Sequence, residues 1–242
     1  METSPPHKKH KKRKLFIMIP AYNEEQSITE VVNRAKNIKV ENVEIITLVI
    51  NDGSKDNTER LARDAGADFV VTHKLNRGLG AAIRTGVNKS LERGADMAVM
   101  LDADGEYAPE EIPSLIKLIL RDEADYVLGS RFMGSIHKMK PIRRLGNLFL
   151  TAMLVLFTGK RISDGQTGLR AFSKRALQNL EIIHDYNYAQ VLTIDLLRKG
   201  YRMKEIPISY SFRKTGKSFV RFKSYALKVF PAMIKARLRS LR

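Results

Sequence analysis

The feature that most constrains this 242-residue chain is a rhythm. A short β-branched apolar run, a polar loop and an amphipathic stretch follow one another repeatedly from Leu15 to Leu128. Residues 15–19, 44–50, 69–72, 97–101 and 126–128 read as strands, and residues 25–38, 57–65, 79–91 and 109–120 as the helices between them. Pro109 suits a first helical turn, where its missing N–H costs nothing. Strands that are apolar throughout and alternate with helices specify an α/β protein, its mainly parallel sheet flanked by helices. Such sheets bind ligands beyond the carboxyl ends of their strands, so the loops after the strands are where chemistry is to be sought.

Past Gly129 the rhythm breaks. Helices are expected over 143–157 and 188–198, and strands over 168–172 and 203–206. From Phe219 onward, Phe219, Phe222, Ala226, Val229, Phe230 and Met233 recur at spacings of one to four, mostly three or four, with Lys and Arg between them. That pattern is an amphipathic basic helix, kinked at Pro231. The chain thus divides into a disordered basic tail (1–14), one domain (15–218) and a C-terminal amphipathic helix (219–242) expected on a membrane surface.

Charge supports this division. The formal net charge is +17, yet six basic residues crowd between Lys8 and Lys14 and seven more between Arg221 and Arg242. The body between them is close to an ordinary soluble domain. Cationic ends meet either nucleic acid or anionic lipid head groups. No helix-turn-helix or RNA-binding signature accompanies the charge, and aromatics are not interleaved on a strand, so no nucleic-acid partner is expected. No apolar run reaches the roughly 18–20 residues of a membrane span. The chain has no Cys, which agrees with a reducing cytoplasm.

Three loops carry the chemistry: Pro20-Ala21-Tyr22-Asn23-Glu24, Asn51-Asp52-Gly53-Ser54 with Asp56 and Thr58, and Asp102-Ala103-Asp104-Gly105-Glu106. In a parallel sheet all three gather on one edge. Asp102 and Asp104, one residue apart at a strand end, can turn toward one hard cation, with Glu106 as a third ligand. Mg²⁺ or Mn²⁺ keeps positions open for phosphate oxygens and offsets charge on a departing diphosphate. Asn76-Arg77-Gly78-Leu79-Gly80 precedes a helix, so its N–H groups can face a phosphate.

Together with Gly129-Ser130-Arg131, Asp164-Gly165-Gln166-Thr167-Gly168-Leu169-Arg170 and Arg213-Lys214-Thr215-Gly216-Lys217-Ser218, these motifs resemble the family 2 glycosyltransferases, and within them the dolichyl (polyprenyl) phosphate sugar transferases. The resemblance runs from about Leu15 to Ser218. It implies a GT-A fold and inversion at the sugar carbon. It implies that Pro20, Tyr22, Glu24 and Asp52 line the nucleotide pocket, and that Asp102, Ala103 and Asp104, with Glu106, hold the cation and diphosphate. It also implies that Arg131 and Arg143 bind the acceptor phosphate and that Arg213 and Lys217 close over the donor. The sequence departs from the family pattern at Asn51, where an acid is usual, and in Gly216-Lys217-Ser218-Phe219.

The expected reaction moves a hexose or N-acetylhexosamine from a GDP- or UDP-sugar to dolichyl or polyprenyl phosphate at the cytoplasmic face of a membrane, with the protein peripheral on an anionic surface. A phosphate oxygen is already anionic and needs no strong base. The alternative is a family 2 enzyme extending a glycan, with Asp164 as general base.

Overall fold

A computed structural model describes residues 12–183, 188–211 and 231–238. The elements run β1 (Arg13–Ala21), α1 (Ile28–Lys36), β2 (Val43–Asn51), α2 (Thr58–Asp64), β3 (Phe69–Thr72), α3 (Leu79–Glu92) and β4 (Met97–Met100). A 3₁₀ turn at Pro109–Glu111 leads into α4 (Ile112–Leu120), followed by β5 (Tyr126–His137), α5 (Pro141–Thr158), β6 (Arg170–Ser173), α6 (Lys174–Gln178), α7 (Ala189–Arg198) and β7 (Met203–Ser211). Residues 231–238 form α8.

The seven strands make one sheet in the order β3-β2-β1-β4-β6-β5-β7, parallel except for β6, which runs antiparallel to β4 and β5. In β1, Leu15 to Ile19 are all fully buried. Alternation along the strand sends Phe16 and Met18 to a core shared with Ile83 of α3 and Val191 of α7. Leu15, Ile17 and Ile19 go to a second core with Val31 of α1 and Leu115 of α4. A strand buried on both faces must be apolar at every position, which is why its signal in the sequence is continuous.

The antiparallel strand positions the chemistry. Arg170, the first residue of β6, pairs with Met100 at the end of β4 and with Leu128 in β5. The 164–169 loop leading into β6 therefore arrives at the same edge as the residues leaving β4 and the middle of β5.

Three expectations are corrected. Arg13 and Lys14, assigned to the tail, begin β1 and pair with Val43 and Glu44. Strands β5 and β7 run well past Leu128 and Ile206: after a break at Ser130/Ser135, pairing resumes at Ser135↔Ser209 and continues to His137↔Ser211. A Cβ at Gly134 would lie 2.0 Å from the Ile208 carbonyl oxygen, so this crossing needs glycine. In β7 the alternation Ile206, Ile208, Tyr210 does continue through this arm, whereas residues 131–137 of β5 carry no such period. Finally, Ala232, Met233 and Ala236 of α8 are buried against the core containing α7, and the Arg198 guanidinium donates to the Ala236 carbonyl. Met233, expected on a membrane-facing stripe, faces protein. The remainder of that stripe, from Phe219 to Phe230, and residues 1–11 lie outside the described residues.

Candidate active site at the carboxyl edge of the sheet

The first two loops are stitched together by their own polar residues. The Asn23 N–H donates to Ser54 Oγ at 2.9 Å, the Lys55 N–H to Asn23 Oδ1 at 2.8 Å and the Glu24 N–H to Thr58 Oγ1 at 2.8 Å. Asp56 accepts from the Thr58 N–H and hydroxyl. Asn23 sits at φ 55°, a left-handed conformation that Asn tolerates. These bonds hold half-buried Tyr22 and Glu24 at the edge, beside buried Pro20.

Asp52 is buried and committed to the fold. Its Oδ1 accepts from His73 Nδ1 at 2.6 Å and from the Arg77 N–H at 2.9 Å, and Oδ2 accepts from the Gly78 N–H at 2.8 Å. His73 is held in turn by Thr85 Oγ1 at 2.9 Å. Two of the N–H groups in the stretch read as a phosphate cradle, those of Arg77 and Gly78, donate to Asp52, which anchors residues 73–78 at the edge. His73 had no motif to mark it; only the fold brings it to Asp52.

The acidic loop after β4 is held by the loop before β6. A Cβ at Gly168 would lie 1.9 Å from Asp102 Oδ2, so the carboxylate rests directly on glycine backbone. The Gly168 N–H donates to the Tyr107 hydroxyl at 2.8 Å, and Asp104 Oδ1 accepts from the Glu106 N–H at 3.0 Å. Ala103 between the two acids is buried. Burial, then Asp104, then Glu106 push the Asp102 carboxyl up to about 7, against the opposing pull of Arg131 and Arg170.

Two arginines face this cluster. Arg131 and Asp164 form a sealed pair, 1% and 0% exposed, with Nε to Oδ2 at 2.6 Å, Nη2 to Oδ1 at 2.8 Å and the Arg131 N–H to Oδ2 at 3.1 Å. Glu205 of β7 holds the turn beneath by accepting from the Ser163 and Asp164 N–H groups. Arg143 of α5 makes two bonds of 2.9 Å to the Glu106 carboxylate. Both guanidinium groups lie on the Tyr210 ring, Arg131 at 5.4 Å and Arg143 at 5.7 Å from its centroid. Tyr210, at the end of β7, is another participant that no motif announced.

Asp164, the candidate base, has both oxygens on Arg131 and no exposure. Glu106 is turned to Arg143, and among the described residues no three His, Cys, Asp or Glu side chains gather as a metal site. The carboxylates left to hold a cation are Asp102 and Asp104. They suit one: burial first, and then the neighbouring carboxylates Asp104 and Glu106, raise Asp102, and a hard divalent ion needs only one or two carboxylates when the donor's phosphate oxygens complete its shell. Arg213 and Lys217 lie outside the described residues. A cavity of about 820 Å³ at the opposite edge of the sheet, lined in part by Lys12, Arg93, Asp96 and Lys174, contains none of the motif residues.

Comparison with known proteins places this geometry. The chain matches the model of Glycosyl transferase family 2 over residues 16–181. It is 37% identical over 184 residues to a UDP-N-acetylglucosamine–dolichyl-phosphate N-acetylglucosaminyltransferase of Methanococcus voltae, covering 69% of this chain and 72% of that one. It is 31% identical over 221 residues to the polyprenol monophosphomannose synthase of Mycolicibacterium smegmatis, covering 85% and 80%. Among solved structures, glucosyl-3-phosphoglycerate synthase of Mycobacterium tuberculosis, in complex with Mn²⁺, uridine diphosphate and phosphoglyceric acid, superposes with a TM-score of 0.77 at 19% identity, covering 95% of this chain and 80% of that one. The fold is thus the GT-A type expected, and the protein is a glycosyltransferase belonging to family 2.

Proposed function

We propose that the protein transfers one hexose or N-acetylhexosamine, with inversion, from a GDP- or UDP-sugar to dolichyl or polyprenyl phosphate. The observation that carries this reading is the pair of arginines on Tyr210 beside the Asp102–Asp104 loop, Arg131 held by Asp164 and Arg143 by Glu106. The relatives named for dolichyl-phosphate and polyprenol acceptors support the same acceptor class.

The acceptor phosphate oxygen attacks the anomeric carbon while the bond from that carbon to the diphosphate breaks. No side chain need remove a proton, because the nucleophile is already an anion, and Asp164 is spent on Arg131. Arg143, the more exposed of the two arginines, meets the incoming phosphate and exchanges Glu106 for it. Arg131, its charge balanced by Asp164, faces the same ring and orients the seat that the phosphate enters. Tyr22, Glu24 and the 73–78 loop anchored by Asp52 flank the nucleotide, and Arg213 and Lys217 close over the donor. Asp102 and Asp104 would hold Mg²⁺ or Mn²⁺, which when bound neutralises charge on the departing diphosphate. The protein works peripherally at the cytoplasmic face of a membrane, and residues 219–230 add cationic contact with it.

The test is a donor screen with dolichyl phosphate, Mg²⁺ or Mn²⁺, and labelled GDP-mannose, UDP-glucose or UDP-N-acetylglucosamine. Label entering the organic phase with one donor, and absent with Asp104→Ala, is the expected result. Failure with every donor, alongside transfer to a glycan, would overturn the acceptor assignment.

A further inference from the structure

Tyr210 carries more than the two guanidinium groups on its ring. The residue is fully buried, and its hydroxyl has no hydrogen-bond partner among the described residues. A buried tyrosine hydroxyl ordinarily finds one, so an idle donor at the catalytic edge calls for a reason. The backbone fixes its place. The Ser211 N–H donates to the Glu106 carbonyl at 3.1 Å, and Tyr107 and Tyr210 form an isolated antiparallel bridge. The two tyrosine rings meet edge to face, with centroids 5.8 Å apart. The end of β7 is therefore tied to residues 106 and 107, and Tyr210 stays beside Glu106.

Glu106 is the acid that this hydroxyl senses. Burial first and then Glu106, against the pull of Arg143, raise the phenol above its ordinary value. It keeps its proton and can donate to an anion. In the free protein both Glu106 oxygens accept from Arg143 at 2.9 Å. That pairing breaks when a phosphate takes the guanidinium. Glu106, its side chain 2% exposed, would then keep its negative charge where water scarcely reaches. A buried ion that loses its partner is costly, and here the cost would fall on ligand binding. Arg131 is no substitute, because Asp164 holds it with both oxygens.

We propose that Tyr210 hands Arg143 over to its ligand: as a phosphate monoester draws the guanidinium away, the Tyr210 hydroxyl turns its hydrogen to the Glu106 carboxylate and holds it. The hand-over rests on the reading above that Arg143 meets a phosphate. An interaction made only after the exchange lowers the energy of the bound state alone, and so favours binding. Tyr210 is thus a positioning residue. It acts through Glu106 and Arg143, and the phenol proton stays on its own oxygen.

Tyr210→Phe removes only the hydroxyl and keeps the ring under both arginines. With Mg²⁺ and the nucleotide-sugar selected by the donor screen, its KM for polyprenyl phosphate is expected to rise about tenfold or more, the worth of a hydrogen bond to a charged group. KM for the donor should scarcely change. Tm should not fall, because the lost hydroxyl bonded nothing in the free protein. In a Glu106→Gln background the same substitution should have little further effect, since a neutral amide leaves no charge to hold. An unchanged acceptor KM would overturn the proposal. So would the full penalty persisting beside Glu106→Gln, which would put the hydroxyl on the phosphate itself. A loss of Tm with equal rises in both KM values would also overturn it, by making the hydroxyl a structural donor. Calorimetric titration of the same four proteins with geranyl phosphate separates the hand-over from the acceptor assignment. A parent that binds this probe yet transfers no sugar to polyprenyl phosphate loses the acceptor assignment, and the four affinities then decide the hand-over. A parent that binds no geranyl phosphate overturns both.

Discussion

Arg143 and Glu106 are joined by two parallel hydrogen bonds of 2.9 Å, and the Glu106 side chain is only 2% exposed while Arg143 is 35% exposed. The pair spans two halves of the site, since Glu106 follows the Asp102–Asp104 turn and Arg143 begins α5. Removing the arginine strands a buried carboxylate. Arg143→Ala is expected to cost about 2 kcal/mol, less than a fully buried pair because Arg143 keeps some solvent. Adding Glu106→Gln should recover a good part of that loss, as measured by urea unfolding of the two single variants and the double variant.

Asp164 separates two chemistries. As the partner of sealed Arg131, Asp164→Asn should destabilise by about 3–5 kcal/mol, because a buried guanidinium loses its counter-charge. Activity per folded molecule at low temperature should then fall without any change in the shape of the pH–rate profile. A stable variant whose profile loses its acidic limb would restore Asp164 as a general base.

Asp102 makes stability depend on pH in a direction that can be worked out. Its folded-state pKa, about 7, lies above the ordinary carboxylate value, so between roughly pH 4 and 7 the folded protein binds more protons than the unfolded chain. Stability contributed at this site is therefore present at low pH and lost as pH rises through 7. The Tm of the metal-free protein should fall over that range more steeply than the Tm of Asp102→Asn. Mn²⁺ should raise the parent Tm by several degrees at pH 7.5, less at pH 5.5, and scarcely at all in Asp104→Ala.

Gly168→Ala adds a methyl group where Asp102 Oδ2 stands, 1.9 Å from the new carbon. The carboxylate must move. Transfer should drop about 100-fold or more, as displacing a group at the reacting centre by about 1 Å can do. The expected Tm change is small, because Asp102 is itself partly exposed and its carboxylate can swing outward to solvent.

His73→Phe removes the ring that ties Asp52 to Thr85. Residues 73–78 should loosen, seen as faster amide exchange at Arg77 and Gly78 and a raised donor KM, while the effect on kcat stays smaller. Equal losses in both constants would show that the loop acts in the chemical step instead.

Much of the sheet was legible because β1, β2 and β4 are buried on both faces and must be apolar along their length. That Asp102 and Asp104 lie together at the carboxyl edge was legible for another reason: they directly follow such a strand, β4. What the linear pattern could not carry was pairing between distant segments. Arg131 was marked by its motif, but that its partner is Asp164, 33 residues away, follows only from β6 running antiparallel between β4 and β5. That Glu106 meets Arg143 is visible only once α5 lies beside the acidic loop. The apolar positions of α5 could be counted in the sequence, but which of them face protein depends on how the helix lies against the 164–169 loop. Periodicity encodes burial locally, in a residue's own element. The partner of a charge, and hence whether it binds ligand, holds the fold or moves a proton, is decided only where separate elements meet.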